Sequence, residues 1–328
     1  MKRRNFIALL GGVAAMWPHA INSQQHARVR RIGVLMPFSQ SDRNAQSWLD
    51  AIQQGLQSLG WSEGTLQYGI RFSEGKPERL PALAAHMVGA NLDVIVTWAA
   101  QPIDALRGAT KTIPIVMAGV GDALGPGYVA SLARPGGNIT GLTLVATDQT
   151  GKRLELLKDM VVDLVRVAAI WNQGASGHVF QMKDLPNAAE SLGVKLQSLP
   201  VRAVGDIDAA LKAATQENAQ AIYIMEDPMI QSTRAQIIEF AIQHRLPLIG
   251  EFRPIVMDGA LMSYGPNQLD MWRRAASYVD KVLKGANPAE LPVEQPTKYD
   301  FVINLKTAKL IELAVPTRLL TFATEIVE

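Results

Sequence analysis

The sequence contains no cysteine in its 328 residues. This absence excludes disulfides, thiolate nucleophiles and cysteine-ligated metal sites together. Histidine is scarce as well, and its five copies stand apart, at positions 19, 26, 86, 178 and 244. No two of them have the i, i+4 spacing with which a helix presents a pair of metal ligands. The sequence therefore predicts no metal site and no cysteine chemistry.

The net charge is also small. The formal value is +2, and no basic stripe with interleaved aromatic residues occurs. Binding to nucleic acid needs such a positive surface, so we expect no nucleic-acid partner. The sequence has neither a Gly-Lys-Ser/Thr phosphate loop nor a Gly-x-Ser-x-Gly nucleophile elbow, and GASGH at 174–178 lacks the elbow spacing. We therefore expect a protein that is not an enzyme and uses no cofactor.

The apolar run at residues 6–17 follows three cations at positions 2–4 and is too short to cross a bilayer as a stable helix. This order is typical of an export signal, so residues 1–23 are predicted to be a signal peptide cleaved after Ser23, with Ala20 as the alternative. Cleavage removes three cations and no acid, which takes the net charge from +2 to −1. No cysteine follows the run, so we expect an unanchored periplasmic protein, exported by either the general or the twin-arginine route.

Apolar runs rich in valine and isoleucine alternate with amphipathic segments along the rest of the chain. Such runs are typical of strands covered on both faces, and the segments between them have helical spacing. Strands are predicted at 30–36, 66–72, 92–98, 113–119, 165–171, 194–201, 219–225, 246–251, 260–265 and 300–305, and helices at 48–59, 80–88, 150–161 and 267–284. The alternation indicates an α/β protein with doubly wound parallel sheets, and the length predicts two such lobes.

A glycine-rich stretch at residues 121–141 interrupts the alternation once. Because glycine and proline suit a bending connection, we interpret the Pro-Gly-Gly sequence at 135–137 and Gly141 as a hinge between the lobes. A return crossing is expected near Asp258. Lobe 1 is then predicted to comprise residues 28–141 plus 258–286, and lobe 2 residues 142–257 plus 287–328.

Polar and aromatic residues follow the predicted strands. In open parallel sheets a ligand binds beyond the carboxyl ends of the strands. Those ends are residues 37–42, 98–101, 118–122, 171–173, 226–227 and 264–265. Trp98 and Phe38 could stack on a flat ligand, whereas Trp171 could equally fill the interface between the lobes. Asp122 and Asp227 could bind a ligand ammonium, although an Asp after a strand is more often a helix cap.

A second interpretation, an exported nicotinamide- or flavin-dependent oxidoreductase, comes from Gly119, Gly121 and Gly125. Their spacing after a strand partly resembles the dinucleotide fingerprint. That fingerprint opens a helix after the first strand of its sheet, whereas here Pro126 and Gly127 follow at once, after about the fourth strand. We therefore favour a binding protein over this alternative.

Three separated segments resemble one known family. Residues 113–145, 261–267 and 291–313, together with the opening MKRRNFIALLGG, are similar to solute-binding proteins of ABC transporters related to tryptophan-binding lipoproteins. The resemblance covers essentially the whole chain. It implies a type I periplasmic binding fold with three crossings between the lobes. It also implies capture of a small-molecule ligand by closure around the cleft. We expect a monomer that delivers this ligand to an ABC permease.

The resemblance further implies which loops line the cleft. Carried onto this chain, the expected ligand-binding residues are Phe38, Ser39, Trp98, Ala99, Gly121 and Asp122 from the first lobe and Asn172, Asp227 and Phe252 from the second. The chain departs from the family at Ala123, where proline is usual, and within 252–265, where acidic positions are replaced. The ligand therefore stays open between an amino acid and another aromatic or carboxylated molecule.

Overall fold

The computed structural model describes residues 28–144 and 146–328, so the predicted signal peptide, residues 1–23, lies outside the described part of the chain. The described residues form two α/β lobes, each built on its own sheet. One sheet has five parallel strands and the other has seven strands with a single antiparallel pair. The predicted fold class, two doubly wound lobes, is confirmed.

The first segment of the chain builds the five-stranded sheet and three of its helices. Its elements are β1 (Arg30–Met36), α1 (Arg43–Ser58), β2 (Leu66–Phe72), α2 (Leu80–Val88), β3 (Val94–Trp98), α3 (Ala100–Ala109), β4 (Ile115–Gly119) and β5 (Ile139–Gly141). The strand order is β2-β1-β3-β4-β5. Because β1 and β3 are adjacent in this order, the loops that follow their carboxyl ends lie side by side at one edge of the sheet.

The second segment builds most of the seven-stranded sheet. Its elements are α4 (Ala146–Met160), β6 (Arg166–Asn172), α5 (Ser176–Ser191), β7 (Lys195–Val201), α6 (Ile207–Gln216), β8 (Ala221–Ile224), α7 (Pro228–Ser232), α8 (Arg234–Gln243), β9 (Leu248–Gly250), α9 (Arg253–Met257) and β10 (Met262–Pro266). The chain then forms α10 (Gln268–Leu283), β11 (Tyr299–Asn304), α11 (Leu305–Leu310), α12 (Thr317–Phe322) and β12 (Glu325–Val327). The strand order is β12-β11-β10-β9-β8-β6-β7.

The predicted lobe boundaries are wrong for two stretches. The sequence predicts that residues 258–286 belong to lobe 1, but β10 within this range pairs with β9 and β11 in the seven-stranded sheet. Only α10 returns to lobe 1, where it packs along α1. The sequence predicts that residues 287–294 belong to lobe 2, yet Leu291 accepts a hydrogen bond from Thr140 of β5 in lobe 1. A continuous apolar run indicates that a strand is buried on both faces, but it does not indicate which sheet the strand joins.

Three passages of the chain connect the lobes, and they lie close together. The first leaves β5 at Leu142, which forms a parallel bridge with Glu294 on the third passage. The second passage contains Asn267, whose backbone N–H donates to the carbonyl of Lys298 at the end of the third. These backbone contacts hold the three passages side by side, and the resemblance implied three crossings.

The glycine-rich stretch is not the hinge that the sequence suggested. Gly136 donates its backbone N–H to Ala289, and both lie on the lobe 1 side of the crossings. Gly141 ends β5 with a φ of +125°, and a Cβ there would lie 2.3 Å from the carbonyl oxygen of Met117 in β4. Glycine is therefore required at residue 141 for strand packing within lobe 1.

Each lobe buries apolar side chains on both faces of its sheet. In lobe 1 one face packs against α1 and α10 and includes three fully covered indoles, Trp48, Trp98 and Trp272. The opposite face packs against α2 and α3. The seven-stranded sheet is covered in the same way on its two sides. Strands buried on both faces explain why their sequences read as continuous apolar runs.

Replacing Gly141 by alanine should destabilise lobe 1, because the new Cβ meets the Met117 carbonyl in a backbone conformation that alanine rarely adopts. We expect a loss of about 1–3 kcal/mol in the free energy of unfolding, measured by urea denaturation. Gly137→Ala is the matched control, since no heavy atom lies within 4 Å of a Cβ at that residue. Equal stability of the two variants would contradict this account of Gly141.

Candidate ligand-binding site

A cavity of about 60 Å³ lies between the lobes at the carboxyl ends of their strands. Lobe 1 lines it with Trp98, Ala99, Ala100, Gly121 and Leu144. Lobe 2 lines it with Ala175, Gly177, His178, Gln181, Glu226, Asp227, Pro228, Gln231, Glu251 and Phe252. The lobes touch beside it, since a Cβ on Gly121 would lie 3.7 Å from the Cα of Gly177. The cavity therefore has walls from both lobes. It lies beyond the carboxyl ends of the strands, where open parallel sheets bind their ligands.

Five of the nine residues expected at the site line this cavity. They are Trp98, Ala99, Gly121, Asp227 and Phe252. The other four, Phe38, Ser39, Asp122 and Asn172, lie outside its lining. Their contacts explain why.

Phe38 and Ser39 serve lobe 1 itself. The Phe38 ring is buried and lies 5.0 Å from the Trp48 ring, centroid to centroid. Ser39 donates its hydroxyl to Glu74 at 2.7 Å, and this hydrogen bond holds the pKa of Glu74 below its usual value. The loop after β1 is thereby fixed to the loop after β2.

Asp122 and Asn172 organise the loops that carry the lining residues. Asp122 accepts hydrogen bonds from the backbone N–H groups of Leu124 and Gly125 at 2.8 and 2.9 Å, so its carboxylate closes a turn. The Asn172 amide donates to Asp227 at 2.6 Å from behind the cavity wall. Asp227 is also the cap of α7, accepting from the N–H of Ile230.

The lobe 1 wall is the edge of an aromatic cluster. Trp98, Trp48 and Trp272 lie nearly parallel with ring centroids 6.1–6.4 Å apart. The ring of Phe252, from lobe 2, meets Trp98 edge-on at 5.9 Å. Trp98 is only 3% exposed, and a Cβ on Gly119 would lie 2.3 Å from its ring. Trp98 is therefore a packed structural residue as well as a lining residue, and Phe252 joins the two lobes.

The helix α5 begins at the cavity and directs hydrogen-bond donors toward it. His178 accepts the backbone N–H of Asn172 at its Nδ1 atom, so in the neutral ring the proton is on Nε2. Gln181 accepts from Arg153 through Oε1, which leaves its Nε2 amino group without a hydrogen-bond partner among the described residues. The first backbone N–H groups of a helix add to this donor character.

A buried guanidinium organises the lobe 2 wall. Arg153 on α4 is 1% exposed in its side chain and pairs with Glu251 at 3.0 Å. Its Nε donates to the Tyr223 hydroxyl at 2.7 Å, and its Nη1 contacts the Tyr264 carbonyl at 3.4 Å. Burial opposes this charge, but Tyr223 and Glu251 outweigh that effect and raise the pKa of Arg153. One side chain thereby joins α4, β8, β10 and the end of β9.

Glu226 lies beside this network at the end of β8. Its Oε1 accepts the backbone N–H groups of Glu251 and Phe252 at 2.7 and 2.9 Å. Burial, reinforced by the charge of Glu251, raises the pKa of Glu226 to about 8. Gly250 is needed here, because a Cβ on it would lie 2.7 Å from Glu226 Oε1.

Sequence reasoning missed several lining residues. Glu226 stands at a strand end that the sequence identifies, but the resemblance points only to its neighbour Asp227. Glu251 directly follows β9, so the same rule applied strictly would have found it. The lining residue His178 lies on a helix, as does Arg153, which supports the wall through Glu251, and the sequence gives no sign that these side chains point inward.

The sequence model of the family described as ABC transporter substrate binding protein matches residues 31–327, so the chain belongs to that family. The tyrosine-binding protein of Clostridioides difficile strain R20291 is 23% identical over 271 residues, which are 81% of this chain and 77% of that protein. Members of the family bind small ligands and interact with ABC permeases.

Two solved structures share the fold over most of the chain. A conserved domain protein from Vibrio cholerae has a TM-score of 0.86 at 28% identity, covering 91% of this chain and all of that one. An ABC domain from Streptococcus pneumonia in complex with L-Trp has a TM-score of 0.85 at 24% identity, covering 91% and 99%. The fold is therefore that of type I periplasmic binding proteins.

The family and its homologues are solute-binding proteins and not enzymes. The oxidoreductase alternative has no support among them. Over residues 28–144 and 146–328, no helix combines the length and apolarity needed to cross a membrane. The same residues contain no cluster of three or more acidic or histidine side chains arranged to hold a metal ion.

Replacing Arg153 by methionine should strongly destabilise the protein, because Glu251 would remain buried without its counter-ion. Removing one partner of a buried ion pair costs about 3–5 kcal/mol, which urea denaturation would measure. Lys152→Met is the matched control, since its pair with Glu155 is exposed and is worth at most about 1 kcal/mol. Similar losses from both variants would contradict the role given to Arg153.

Proposed function

We propose that this protein is the periplasmic solute-binding component of an ABC importer, which captures a small organic ligand between its lobes and delivers it to a membrane permease. The observation that carries the proposal is the cavity whose lining comes from both lobes. A ligand held there contacts both lobes at once, so its binding free energy favours the form in which they touch.

Two contacts besides the ligand support such closure. Arg234, at the start of α8 in lobe 2, pairs with Asp42 in lobe 1 at 3.2 Å. Asp42 is also the cap of α1, where its other oxygen accepts the backbone N–H of Asn44. Phe252 extends from lobe 2 into the aromatic cluster of lobe 1. Both contacts depend on the lobes being together, and the three neighbouring passages are where the lobes would pivot.

The ligand class follows from the walls and from the relatives. An aromatic edge on lobe 1 and polar groups on lobe 2 suit a molecule with an apolar body and a polar head. One relative is named for tyrosine, and one structural neighbour holds L-Trp. The acidic positions missing from 252–265 do not argue against an amino acid, because Glu226 and Glu251 supply acids to the cavity. Aromatic amino acids are therefore the first ligands to examine.

The cellular setting is part of the same proposal. The signal-like N-terminus favours export, and the absence of cysteine excludes thioether lipidation there. We propose an unanchored monomer in the periplasm.

Ligand capture should be visible as thermal stabilisation and compaction. We expect L-tyrosine or L-tryptophan, or a related aromatic acid, to raise the melting temperature and to reduce the radius of gyration measured by small-angle X-ray scattering. Native mass spectrometry of freshly purified protein would identify a ligand carried from the cell. A panel of aromatic acids and amino acids that leaves both quantities unchanged would count against the proposal.

The pair between Arg234 and Asp42 should favour the closed form. Arg234→Gln is expected to enlarge the ligand-free radius of gyration and to weaken ligand binding about 2- to 5-fold, as for a partly exposed ion pair. The control is Arg245→Gln, whose pair with Glu312 is exposed and lies within lobe 2. Unchanged affinity and size in Arg234→Gln would remove this contact from the closing mechanism.

A further inference from the structure

The carboxyl group of Glu226 is held in one orientation by the backbone. The residue is only 8% exposed, and it lines the cavity between the lobes. Two backbone N–H groups, from Glu251 and Phe252, donate to its Oε1. Paired donors on one oxygen suit an ionised carboxylate. The chain thus positions an acidic group in the cavity.

The second oxygen of Glu226, Oε2, has no hydrogen-bond partner among the described residues. The neighbouring acids differ in this respect. Asp227 accepts from Asn172 at one oxygen and from the backbone of Ile230 at the other. Glu251 is paired with Arg153. Glu226 is therefore the acid of this wall that has neither an ion pair nor, among the described residues, a hydrogen bond at its second oxygen.

The charges around Glu226 leave it without a counter-ion. The ionisable groups that surround it are Arg153 from α4, Glu251 after β9, its neighbour Asp227, His178 from α5 and Tyr223 from β8. Arg153 is the one guanidinium among them, and its nitrogens are directed to Glu251, Tyr223 and Gln181. Three carboxyl groups thus face a single cation, and the wall has an excess of negative charge.

A carboxyl group in this position has a raised pKa, about 8, because it is buried and because Glu251 lies nearby. At neutral pH it takes up a proton when no cation is present. A cation placed against Oε2 would replace that proton, since an opposite charge within hydrogen-bond distance favours the ionised form.

We propose that the ligand presents a protonated amine, or a comparable cationic nitrogen, to Glu226 Oε2, and that its binding releases the proton held by this carboxyl group. The inference rests on the proposed function and specifies one end of the ligand. The N–H of the ligand donates to Oε2, and the displaced proton passes to solvent. Trp98 and Phe252 then contact the apolar part of the same molecule.

The opposite arrangement is a neutral Glu226 that donates its proton to a ligand oxygen. The two arrangements differ in the sign of their pH dependence. A cationic ligand binds more tightly as the pH rises toward 8, because Glu226 is protonated in a smaller fraction of the molecules and fewer protons must be displaced. A ligand oxygen that accepts from the neutral carboxyl binds more weakly over the same range.

Three probes with the same ring system separate the ends of the molecule. L-Tryptophan has an ammonium and a carboxylate, tryptamine has the ammonium alone, and indole-3-propionate has the carboxylate alone. Isothermal titration calorimetry should give tighter binding for the two amines than for indole-3-propionate. Their affinity should rise about 10-fold from pH 6 to 7 and about 5-fold from pH 7 to 8, as the ionised fraction of a carboxyl group with a pKa of about 8 does. Titration in buffers of different ionisation enthalpy should show proton release at pH 7.

The variant Glu226→Gln keeps an oxygen for the two backbone donors and removes the charge. It should bind the amines at least about 30-fold more weakly, lose the pH dependence and keep its melting temperature within a few degrees of the wild type. The control is Glu239→Gln, an exposed residue of α8.

The outcomes are distinguishable. Tight binding of the amines with loss in Glu226→Gln supports the inference. Preference for indole-3-propionate, affinity that falls with pH, or full amine binding by Glu226→Gln would overturn it and leave a binding protein for another ligand class. If the wild type binds none of the three probes and no compound in the panel of aromatic acids, that result would count against the proposed function and the inference together.

Discussion

The buried pair between Arg153 and Glu251 is the interaction on which the lobe 2 side of the cleft depends. A guanidinium removed from water is stabilised only if nearly every N–H has a partner, and Arg153 has partners from four elements of the lobe. The pair fixes Glu251 at the end of β9. The backbone of Glu251 and Phe252 is then in place to donate to Glu226. The pair between Arg153 and Glu251 thus determines both the shape and the electrostatics of this wall.

The two walls of the cleft are held by different forces. The lobe 1 wall is the surface of a stack of three indoles, whose stability comes from apolar burial and ring packing. The lobe 2 wall is a network of hydrogen bonds and charges, in which orientation matters more than area. Phe252 belongs to both, because its ring packs on Trp98 while its backbone N–H holds Glu226. Under the proposed function, one ligand between the lobes contacts both kinds of surface.

Most of the fold could be predicted from the sequence because strands buried on both faces have continuous apolar sequences. The sheet that each strand joins could not be predicted, since the sequence pattern of β10 would be the same in either sheet. At the site, the position of a residue after a strand leads to Trp98 and Asp227, which line the cavity, but it does not show that the Phe38 ring turns toward Trp48. Arg153 has no sequence signal at all, because an arginine on an amphipathic helix normally points to solvent. Its burial follows from tertiary contacts alone.

The position of α10 has a consequence for the order in which the protein can be assembled. This helix is made after the lobe 2 strand β10, yet it covers α1, and a Cβ on Gly55 would lie 2.7 Å from the Cβ of Ala276. The indoles of Trp48 and Trp98 remain without Trp272 until that point. Lobe 1 cannot finish its interior while the ribosome is still translating the first 141 residues, or even the first 267. The interior of lobe 1 can therefore be completed only after α10 has been synthesised.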